Sequence, residues 1–553
     1  MRGPNLQQGQ VLPISRRVPK APDPLELFAR LTDAGERADA ALLESADGAE
    51  GRHLRSMLVT KCAVRATCRA REVMFEALSA NGESALEHVA ERLGEFGEVR
   101  DEAGALRFVP ETATRGGSEA HRLRAPSSLD ALRAMAFGWE LVSSPGPLSM
   151  VCPGVFAYEL IDEFEALPEP RGDATEYPDF VFWLPEETVV IDHTTGATRA
   201  IRHVYAGSQA RASYHDAMNA LEGLCAAVEA APAAAKAERV KGARLDEEPQ
   251  VEVDIDEATF GGAVEELKGH IAAGDIFQAV PSRTFRAACS DPLASYRRLR
   301  AENPSPYMFY VRREEDVLFG ASPETSVKVS QCGRGEPKEV EIRPIAGTRP
   351  RGFDAQGRID ADLDARMEAE LRLDTKELAE HMMLVDLARN DVARVSRPGT
   401  REVSRLLGVD RYSHVMHLVS HVRGELADGL DALHAYAGSM NMGTLVGAPK
   451  LRAAELIRRF EVDRRGPYGG AVGYLTPDGE MDTAIVIRSA LVRDGVAHVR
   501  AGAGVVADSQ PALEADETRR KARAVLRALG GAGRTAKGAK GAKDAKGKKK
   551  EGL

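Results

Sequence analysis

The chain has 553 residues, of which 43% are hydrophobic and 29% charged, and its formal net charge is −10. This composition is typical of a globular protein of two or more domains and excludes a strongly basic nucleic-acid binder. Because the sequence has no apolar leader, no uncharged apolar run of about 18 residues and no CxxC pair, it predicts a cytoplasmic protein without a membrane span.

The first half is predicted to start with a flexible, Pro-rich leader (1–24) and a short helix at Pro24–Leu31. Strand-like runs follow at Met57–Val59, Cys62–Cys68 and Val73–Leu78, and Asn81-Gly82 has the composition of a turn. These features predict a β-meander in the N-terminal region.

A composition shift to Ala, Glu, Lys and Pro between Ala226 and Pro249 predicts a helix that ends in a linker. We therefore divide the chain into an N-terminal region (25–235) and a C-terminal region (250–530). The residues after 530 are rich in Lys, Gly and Ala and predict a disordered tail (531–553).

The second half is predicted to open with a helix at Ala263–Ala273 and a strand at Ile276–Val280. Further on, the loop Arg343–Gly352 has the components of an anion site. Gly347 permits close backbone approach, Thr348 supplies a hydroxyl, and three arginines keep their charge. A basic surface turn would have the same composition, so both interpretations remain open.

An arginine, Arg488, lies among β-branched residues in a strand predicted at Ile485–Ala490. A buried charge needs a partner, and a bound carboxylate would serve. The stretch Arg500–Val506 is predicted to be an apolar strand in which Gly502 and Gly504 expose backbone N–H groups to an anion.

Carboxylates recur on two predicted helices. Glu377 and Glu380 share one face of a helix whose apolar face would contain Leu378, Met382 and Val385. Glu514, Glu517 and Lys521 share a face of the last helix, where Leu513, Val525 and Leu526 are available for packing. Four carboxylates beside a glycine strand could hold a hard divalent cation, although a solvated helix face is the alternative for either pair.

These motifs occur together and in order. They are Pro344–Gly352, Asp386–Asp391, His414–Ser420, Gly466–Gly473 and Glu514–Lys521. Together they resemble the chorismate-utilising enzymes and, more narrowly, the large (component I) subunits of anthranilate synthases. The resemblance extends from about Pro24 to Leu529. It implies an α+β fold in which large packed β-sheets have helices outside, with chorismate bound in a cleft of the second half.

The resemblance also implies a set of site residues. Chorismate would be held by Gly347, Thr348, Tyr468, Arg488, Gly502, Ala503 and Gly504. Mg²⁺ would lie between Glu380 and Glu517, supported through water by Glu377 and Glu514, with Lys521 close by. His417 and Thr444 would lie near the ring, where His417 either assists a proton transfer or has a structural role. Since chorismate is a dianion, Mg²⁺ can neutralise its ring carboxylate as the 4-hydroxyl departs.

Two positions distinguish branches of this family. Gln278 stands where the water-using members have a lysine general base, and Ala346 stands where aminodeoxychorismate synthases have a lysine that can form an adduct. Both residues favour direct addition of ammonia, loss of pyruvate and aromatisation. An aminodeoxychorismate or amino-deoxyisochorismate synthase remains an alternative, as does a non-catalytic regulator that binds chorismate or tryptophan.

The ammonia source is predicted to be another protein, because the chain has no Gly-x-Cys-x-Gly nucleophile elbow. The resemblance implies a separate glutamine amidotransferase subunit (component II) in a heterotetramer of two large and two small subunits. Without this partner the chain is expected to use free ammonia.

A second site is implied by Leu42-Leu43-Glu44-Ser45, which resembles the tryptophan-feedback motif of the family. The other wall would comprise Pro306, Tyr307, Met308, Gly473 and Tyr474. Glu44 and Ser45 would meet the ammonium of tryptophan and the apolar wall its indole, with a shift between the two halves coupling the sites. By itself this motif would be an ordinary helix or strand end.

Overall fold

The computed structural model describes residues 5–45, 55–102, 104–111, 119–233, 249–331, 333, 335–354, 356–412 and 415–530. The strands are β1 (Gln10–Val18), β2 (Ala40–Glu44), β3 (Arg55–Arg69), β4 (Glu72–Ala77), β5 (Gly97–Glu102), β6 (Ala105–Pro110), β7 (Glu140–Leu141), β8 (Cys152–Phe156), β9 (Phe180–Asp192), β10 (Ala197–Tyr205), β11 (Glu252–Val253), β12 (Gln278–Ala279), β13 (Ser282–Ala288), β14 (Tyr307–Arg312), β15 (Asp316–Ser322), β16 (Thr325–Gln331), β17 (Lys338–Ile342), β18 (Ile345–Pro350), β19 (Glu402–Arg411), β20 (Val415–Glu425), β21 (Gly447–Ala448), β22 (Ala471–Leu475), β23 (Met481–Ile485), β24 (Ser489–Arg493) and β25 (Val496–Gly502).

The helices are α1 (Pro24–Leu31), α2 (Ala80–Leu93), α3 (Glu119–Leu123), α4 (Leu129–Ala136), α5 (Ala210–Ala230), α6 (Glu257–Ala272), α7 (Pro292–Glu302), α8 (Ala361–Leu373), α9 (Thr375–Val395), α10 (Ala432–Ser439), α11 (Gly443–Val446), α12 (Lys450–Phe460) and α13 (Pro511–Leu529), with a 3₁₀ turn at Tyr158–Glu163. Within the described part of the chain, no helix combines the length and apolar character that a membrane span requires.

Two long antiparallel strands, β3 and β9, organise the sheets. Their pairing shifts register between Val59 and Val64. Before this bulge β3 also pairs with β2, and after it β3 pairs with β4. The start of β9 pairs with β8, and the end of β9 pairs with β10. Strands that switch sheets through a bulge join two packed sheets at a corner.

The first sheet has the order β7-β1-β10-β9-β3-β2-β14-β15-β24-β25-β13-β11, and the second β5-β6-β4-β3-β9-β8-β22-β23-β16-β17-β20, with β18 and β19 also paired to β20. One apolar cluster combines residues of both sheets, such as Phe309 and Val472. Two other clusters pack helices onto the sheets: α1, α5, α7 and α13 on the first, and α2, α4, α9 and α10 on the second. The predicted α+β class, with packed sheets and helices outside, is confirmed.

The two halves of the sequence are interleaved in these sheets. β2 pairs with β14, and β8 pairs with β22, so strands from both sides of the predicted boundary hydrogen-bond directly. The predicted division at 235–250 therefore does not separate two sheets. Residues 234–248, which include most of the predicted linker, lie outside the described residues, as does the predicted tail (531–553).

Three predicted N-terminal elements differ in the structure. Residues Gln10–Val18 of the predicted flexible leader form β1, which pairs along β10. Asn81-Gly82 is not a turn but begins α2, because the Ser79 hydroxyl accepts the Gly82 N–H as an N-cap. The two runs predicted at Met57–Val59 and Cys62–Cys68 are a single strand, β3.

Predicted elements of the second half are shortened in the structure. The strand predicted at Ile276–Val280 is reduced to Gln278–Ala279, and β25 ends at Gly502, so Gly504 lies beyond the strand. Arg488 lies between β23 and β24 with φ of 51°, and the predicted strand Ile485–Ala490 is therefore wrong. Its backbone turns there because β23 belongs to the second sheet and β24 to the first.

Candidate active site

A cavity of about 580 Å³ opens where the chain crosses between the two sheets. Its walls come from β18, α9, α11, α13 and the two crossing segments that follow β15 and β23. The predicted catalytic, metal and substrate residues that line it are Gln278, Gly347, Thr348, Glu377, Glu380, His417, Thr444, Tyr468, Arg488, Gly502, Gly504, Glu514, Glu517 and Lys521. Ala346 lines it as well.

Ala503 differs from this prediction. Its side chain is buried in an apolar cluster and does not line the cavity, and its N–H donates to the Pro281 carbonyl at 3.1 Å. That N–H is therefore already used within the fold. An alternating backbone turns Ala503 inward where the flanking glycines face the cavity.

The glycine wall leaves space that a side chain would fill. A Cβ on Gly504 would lie 2.7 Å from Gln278 Nε2, and one on Gly502 would lie 2.9 Å from the Pro281 carbonyl oxygen. Gly347 has φ of +70°, and a Cβ there would approach Leu371 to 2.9 Å. Gly502 is therefore required because a Cβ would clash with backbone, and Gly347 because of its positive φ, whereas a Cβ on Gly504 would meet the flexible end of Gln278.

Two helices form the acidic wall. Asp374 is the N-cap of α9, because its side chain accepts the Glu377 N–H at 3.2 Å, and α13 starts with Pro511. Both helices present their carboxylates as the helical period predicts, but their apolar faces differ from the prediction. Met382 is 43% exposed and Leu513 is 56% exposed, whereas Val385 and Val525 are buried.

The electrostatics of this wall reflect crowded carboxylates. Burial and repulsion by Glu377 raise the pKa of Glu380, which accepts a hydrogen bond from Gln278 Nε2 at 3.2 Å. Burial also raises the pKa of Glu514. Burial opposes ionisation of Glu517, but the Lys521 ammonium at 2.7 Å together with Arg520 and Lys376 outweighs it and lowers the Glu517 pKa. Lys521 also donates to the Gly502 carbonyl at 3.0 Å.

The donor set of this wall fits a hard divalent cation. Carboxylate oxygens are the ligands that Mg²⁺ prefers, and a cation would relieve the repulsion that raises the Glu380 pKa. In the described part of the chain, however, no three His, Cys, Asp or Glu side chains already converge on one metal position. The wall therefore contains suitable ligands without a closed protein cage, as expected for a cation that takes most of its ligands from substrate and water.

Arg488 also lines the cavity. Among the residues that the structure describes, its guanidinium makes no hydrogen bond or ion pair. Burial lowers its pKa, although Tyr468 and Glu517 partly offset that effect. An unpaired guanidinium in a cavity wall is suited to a carboxylate ligand.

The predicted anion loop is a strand whose arginines are already paired. Arg349 binds Asp374 at 2.6 Å, Arg351 binds Asp364 at 2.7 Å, and Arg343 binds Glu341 at 2.6 Å. These ion pairs favour a structural role for the three arginines, of which Arg349 also lines the cavity. Gly347 and Thr348 remain available at the cavity wall.

His417 lies beside Gly347 and Thr348. Its Nδ1 is 3.1 Å from the Gly347 carbonyl oxygen and 3.0 Å from Thr348 Oγ1. Because a carbonyl oxygen can only accept, Nδ1 carries the proton, and Nε2 of the neutral ring is an acceptor. Burial lowers the His417 pKa to about 4, so the ring is neutral near pH 7.

Glu324 is a cavity residue that sequence reasoning missed. It lies in the first crossing segment, is 8% exposed, and lines the cavity with Thr444 and Gln278. Burial raises its pKa to about 8, with only partial offset by the Thr444 hydroxyl and Lys521. The only signal in the sequence was an acidic residue in a Ser-Pro-Glu turn between two apolar strands.

A second cavity, of about 660 Å³, lies between the sheets and is lined by β2 and β14 of the first and by β16, β22 and β23 of the second. The predicted residues Glu44, Ser45, Pro306, Tyr307, Gly473 and Tyr474 all line it. The Ser45 hydroxyl oxygen is buried and has no hydrogen-bond partner among the described residues. It is therefore available to a ligand.

Two residues of the second cavity differ from expectation. The Glu44 carboxylate accepts from Tyr296 OH at 2.6 Å and pairs with Arg300 at 3.0 Å, so it is not free for an ammonium. Met308 is 1% exposed and packs in the cluster outside the first sheet, since neighbours in a strand point to opposite faces. Met308 does not line the second cavity, and only its backbone pairing with Glu44 connects it to this wall.

Comparison with known proteins agrees with this architecture. The family model described as chorismate binding enzyme matches residues 108–527. The chain is 47% identical over 513 residues to anthranilate synthase component 1 of Vibrio cholerae, covering 93% of this chain and 95% of that one. It is 48% identical over 483 residues to the pyocyanine-specific anthranilate synthase component 1 of Pseudomonas aeruginosa, covering 87% and 88%.

A solved structure gives the same result. The crystal structure of anthranilate synthase component I from Streptococcus pneumoniae superposes with a TM-score of 0.64 at 26% identity, covering 86% of this chain and 92% of that one. The chain therefore belongs to the chorismate-binding enzymes, as its fold and cavity define them. Within that family it is a member of the anthranilate synthase component 1 group, and the resemblance inferred from the motifs is confirmed.

Proposed function

We propose that the chain converts chorismate and ammonia to anthranilate and pyruvate, the first step of tryptophan biosynthesis. The observation that carries this proposal is a single cavity that contains both the unpaired Arg488 and the acidic wall. Gln278 and Ala346 line the same cavity. Arg488 suits one substrate carboxylate and a cation on the acidic wall suits the other. Neither Gln278 nor Ala346 can act as the base or nucleophile that would divert the reaction.

Substrate binding is assigned to the basic and glycine walls. The guanidinium of Arg488 and the hydroxyl of Tyr468 would bind one carboxylate, with Thr348 and the backbone of Gly347, Gly502 and Gly504 completing the contacts. Of the implied set, Ala503 is not assigned a contact, because its N–H already donates within the fold.

Mg²⁺ is assigned to Glu380 and Glu517, with Glu377 and Glu514 as supporting groups. When bound, it would supply positive charge that neutralises the ring carboxylate. Glu517 has to exchange its Lys521 partner for the cation, which frees an ammonium beside the Gly502 carbonyl. Gln278 holds the orientation of Glu380.

Proton transfers are assigned to Glu324 and His417. As nitrogen bonds to the ring carbon next to the carboxylate, the double bonds shift and the 4-hydroxyl departs. The protonated Glu324 carboxyl can donate the proton with which this group leaves as water. The ring C–O bond then breaks and the enolpyruvyl methylene carbon gains a proton to give pyruvate, while removal of the proton from the aminated ring carbon gives the aromatic product. The neutral His417, with Nε2 as an acceptor, suits that removal.

Ammonia is proposed to come from a separate glutamine amidotransferase subunit, in an assembly of two large and two small subunits. The test is to incubate the purified chain with chorismate, Mg²⁺ and either ammonium or glutamine, and to identify the products by chromatography and mass spectrometry. Ammonium should give anthranilate, and glutamine should not until an amidotransferase subunit is added. A non-aromatic amino product would instead identify the aminodeoxychorismate or amino-deoxyisochorismate alternative.

The second cavity is proposed as a tryptophan-feedback site. This proposal is supported by two strands, β16 and β23, that connect the second cavity to the substrate cavity. β16 carries Lys328 in the second cavity and begins directly after Glu324, while β23 carries Asp482 there and leads to Arg488. A ligand between the sheets could thus alter the substrate cavity through these two strands, without the rigid shift of halves that the sequence suggested.

A hydrogen-bonded group lies between the two cavities. The Tyr307 hydroxyl contacts Thr325 Oγ1 at 3.0 Å and donates to Asp482 Oδ1 at 3.1 Å, and Thr325 adjoins Glu324. Ser45 is assigned to the ligand's polar end. A cytoplasmic location is also proposed, supported by the free thiols of Cys62, Cys68, Cys152, Cys225 and Cys289.

A further inference from the structure

Behind the substrate cavity lies a fully buried arginine, Arg465, which is not among the residues that line it. Arg465 has a side chain only 1% exposed, and it follows α12. Its Nε and Nη2 donate to the Glu461 carboxylate at 2.9 and 2.7 Å. This bidentate ion pair neutralises the charge and orients the planar guanidinium.

The remaining N–H groups of Arg465 bind two separate wall segments. Nη1 donates to the Leu445 carbonyl at 2.7 Å, and Nη2 donates to the Val280 carbonyl at 2.8 Å. Leu445 follows Thr444 in α11, and Val280 follows β12, which contains Gln278. Since Leu445 and Val280 themselves line the cavity, Arg465 joins two of its walls from behind.

The same guanidinium contacts a third wall through its flat face. It lies 5.8 Å from the ring centroid of Tyr468 and 4.5 Å from that of Tyr158. Arginine stacks on aromatic faces in this distance range. The Tyr468 hydroxyl reaches the cavity beside Gly502, where a Cβ would lie 3.2 Å from it.

Glu461 ties this arrangement to the first sheet. It accepts from the Ser282 N–H at 2.9 Å and the Ser282 hydroxyl at 2.6 Å, and it pairs with Arg500 at 3.0 Å. Ser282 begins β13 and Arg500 lies in β25, the strand that ends at Gly502. The buried network of Arg465, Glu461 and Arg500 is thus connected to β13 through Ser282 and to β25, which ends at Gly502 in the glycine wall.

We propose that Arg465 is a positioning residue for the reaction: it holds the Tyr468 ring in register with the Thr444 and Gln278 segments. Lysine cannot replace it, because an ammonium is a point charge without the planar fork that reaches two carbonyls and a carboxylate together. The inference rests on the proposed function, since it concerns the same cavity.

The test compares Arg465→Lys with a matched control, Arg313→Lys. Arg313 is also buried, with 4% of its side chain exposed, and it forms a bidentate pair with Asp316 and lies 4.8 Å from the Tyr177 ring centroid. It lines neither of the two large cavities. Both variants should lower the thermal unfolding temperature. Only Arg465→Lys should lower ammonia-dependent kcat/KM, by about 10- to 100-fold, because small misplacements of positioning groups have effects of that size.

A double-mutant cycle separates positioning from general destabilisation. Tyr468→Phe removes the hydroxyl that Arg465 orients, so the double variant Arg465→Lys/Tyr468→Phe should be within about 3-fold of the slower single variant. Multiplicative losses in the double variant would overturn the proposal, as would an Arg465→Lys enzyme with wild-type kcat/KM. In the control double variant Arg313→Lys/Tyr468→Phe, kcat/KM should be no lower than in Tyr468→Phe alone.

A second variant keeps the test decisive if Arg465→Lys does not fold. Glu461→Gln preserves the shape of the partner but removes its charge, and it should show the same non-additivity with Tyr468→Phe. Additive behaviour of this variant would also overturn the proposal. If the wild type makes no anthranilate, the proposed function fails; if it does and the cycle is additive, only the role of Arg465 fails.

Discussion

Glu324→Gln is expected to abolish most activity while stabilising the protein at alkaline pH. Glu324 is nearly buried and its pKa is raised to about 8, so near neutral pH most molecules carry the protonated acid. The amide of glutamine preserves size and hydrogen-bonding capacity but cannot release a proton. If Glu324 protonates the departing hydroxyl, the rate constant should fall by about 100- to 10,000-fold, the range for loss of a general acid.

The effect on stability follows from the same pKa. Relative to its ordinary value of 4.5, a pKa of about 8 disfavours the ionised form in the folded cavity by roughly 5 kcal/mol. The unfolded chain releases this proton near pH 4.5 and the folded chain only near pH 8. The contribution of Glu324 to stability is therefore fully present below about pH 4.5 and is lost as pH rises to 8. Because glutamine does not ionise, the free energy of unfolding of Glu324→Gln should not fall over this pH range.

The assay measures kcat between pH 6.5 and 9.5 at constant free ammonia, so that ionisation of ammonium does not distort the profile. The wild-type rate should fall above about pH 8, and the residual rate of Glu324→Gln should not show this limb. Thermal unfolding is followed over pH 5 to 9. A matched control is Glu163→Gln, since burial also raises the pKa of Glu163 but that residue binds Ser128 away from both large cavities. Wild-type activity of Glu324→Gln, or a variant less stable than wild type at pH 9, would refute the reasoning.

Three further predictions concern the acidic wall and the second cavity. Glu517→Gln should eliminate Mg²⁺-dependent binding of chorismate in calorimetric titrations, and Glu514→Gln should weaken it by about 10- to 100-fold as a supporting group; normal binding by folded Glu517→Gln would contradict the metal assignment. Ser45→Phe should weaken inhibition by tryptophan by roughly 5- to 150-fold through overpacking, with uninhibited turnover unchanged; equal inhibition of both proteins would remove the feedback site. Tyr307→Phe should still bind tryptophan, but the mutual weakening of tryptophan and chorismate affinities should decrease. Its control is Tyr474→Phe, since the Tyr474 hydroxyl also belongs to a residue of this cavity but has no hydrogen-bond partner in the described part of the chain. This control should retain the coupling, and equal coupling in all three proteins would contradict the role of the Tyr307 hydroxyl.

Short-range periodicity determined much of the candidate site from the sequence. Glu514, Glu517 and Lys521 had to share a helical face, because residues three and four apart in a helix are neighbours whatever surrounds them. Gly347, Gly502 and Gly504 could also be recognised from composition, because glycine permits close backbone approach, but the contacts that leave no room for a side chain come from residues distant in the chain. The order of the motifs was sufficient to identify the family.

Tertiary structure decided the remaining features, because they depend on burial and on partners distant in the chain. The sequence could not show that Tyr296 and Arg300 occupy the Glu44 carboxylate, or that Pro281 uses the Ala503 N–H. Glu324 is an ordinary acid in the sequence, and only the crossing between two sheets removes it from water and raises its pKa. Likewise, the pairings of β2 with β14 and of β8 with β22 interleave the two halves, and no local period encodes them. Local geometry is thus set by neighbouring residues, whereas ionisation and free hydrogen-bonding capacity are set by what the whole fold brings into contact.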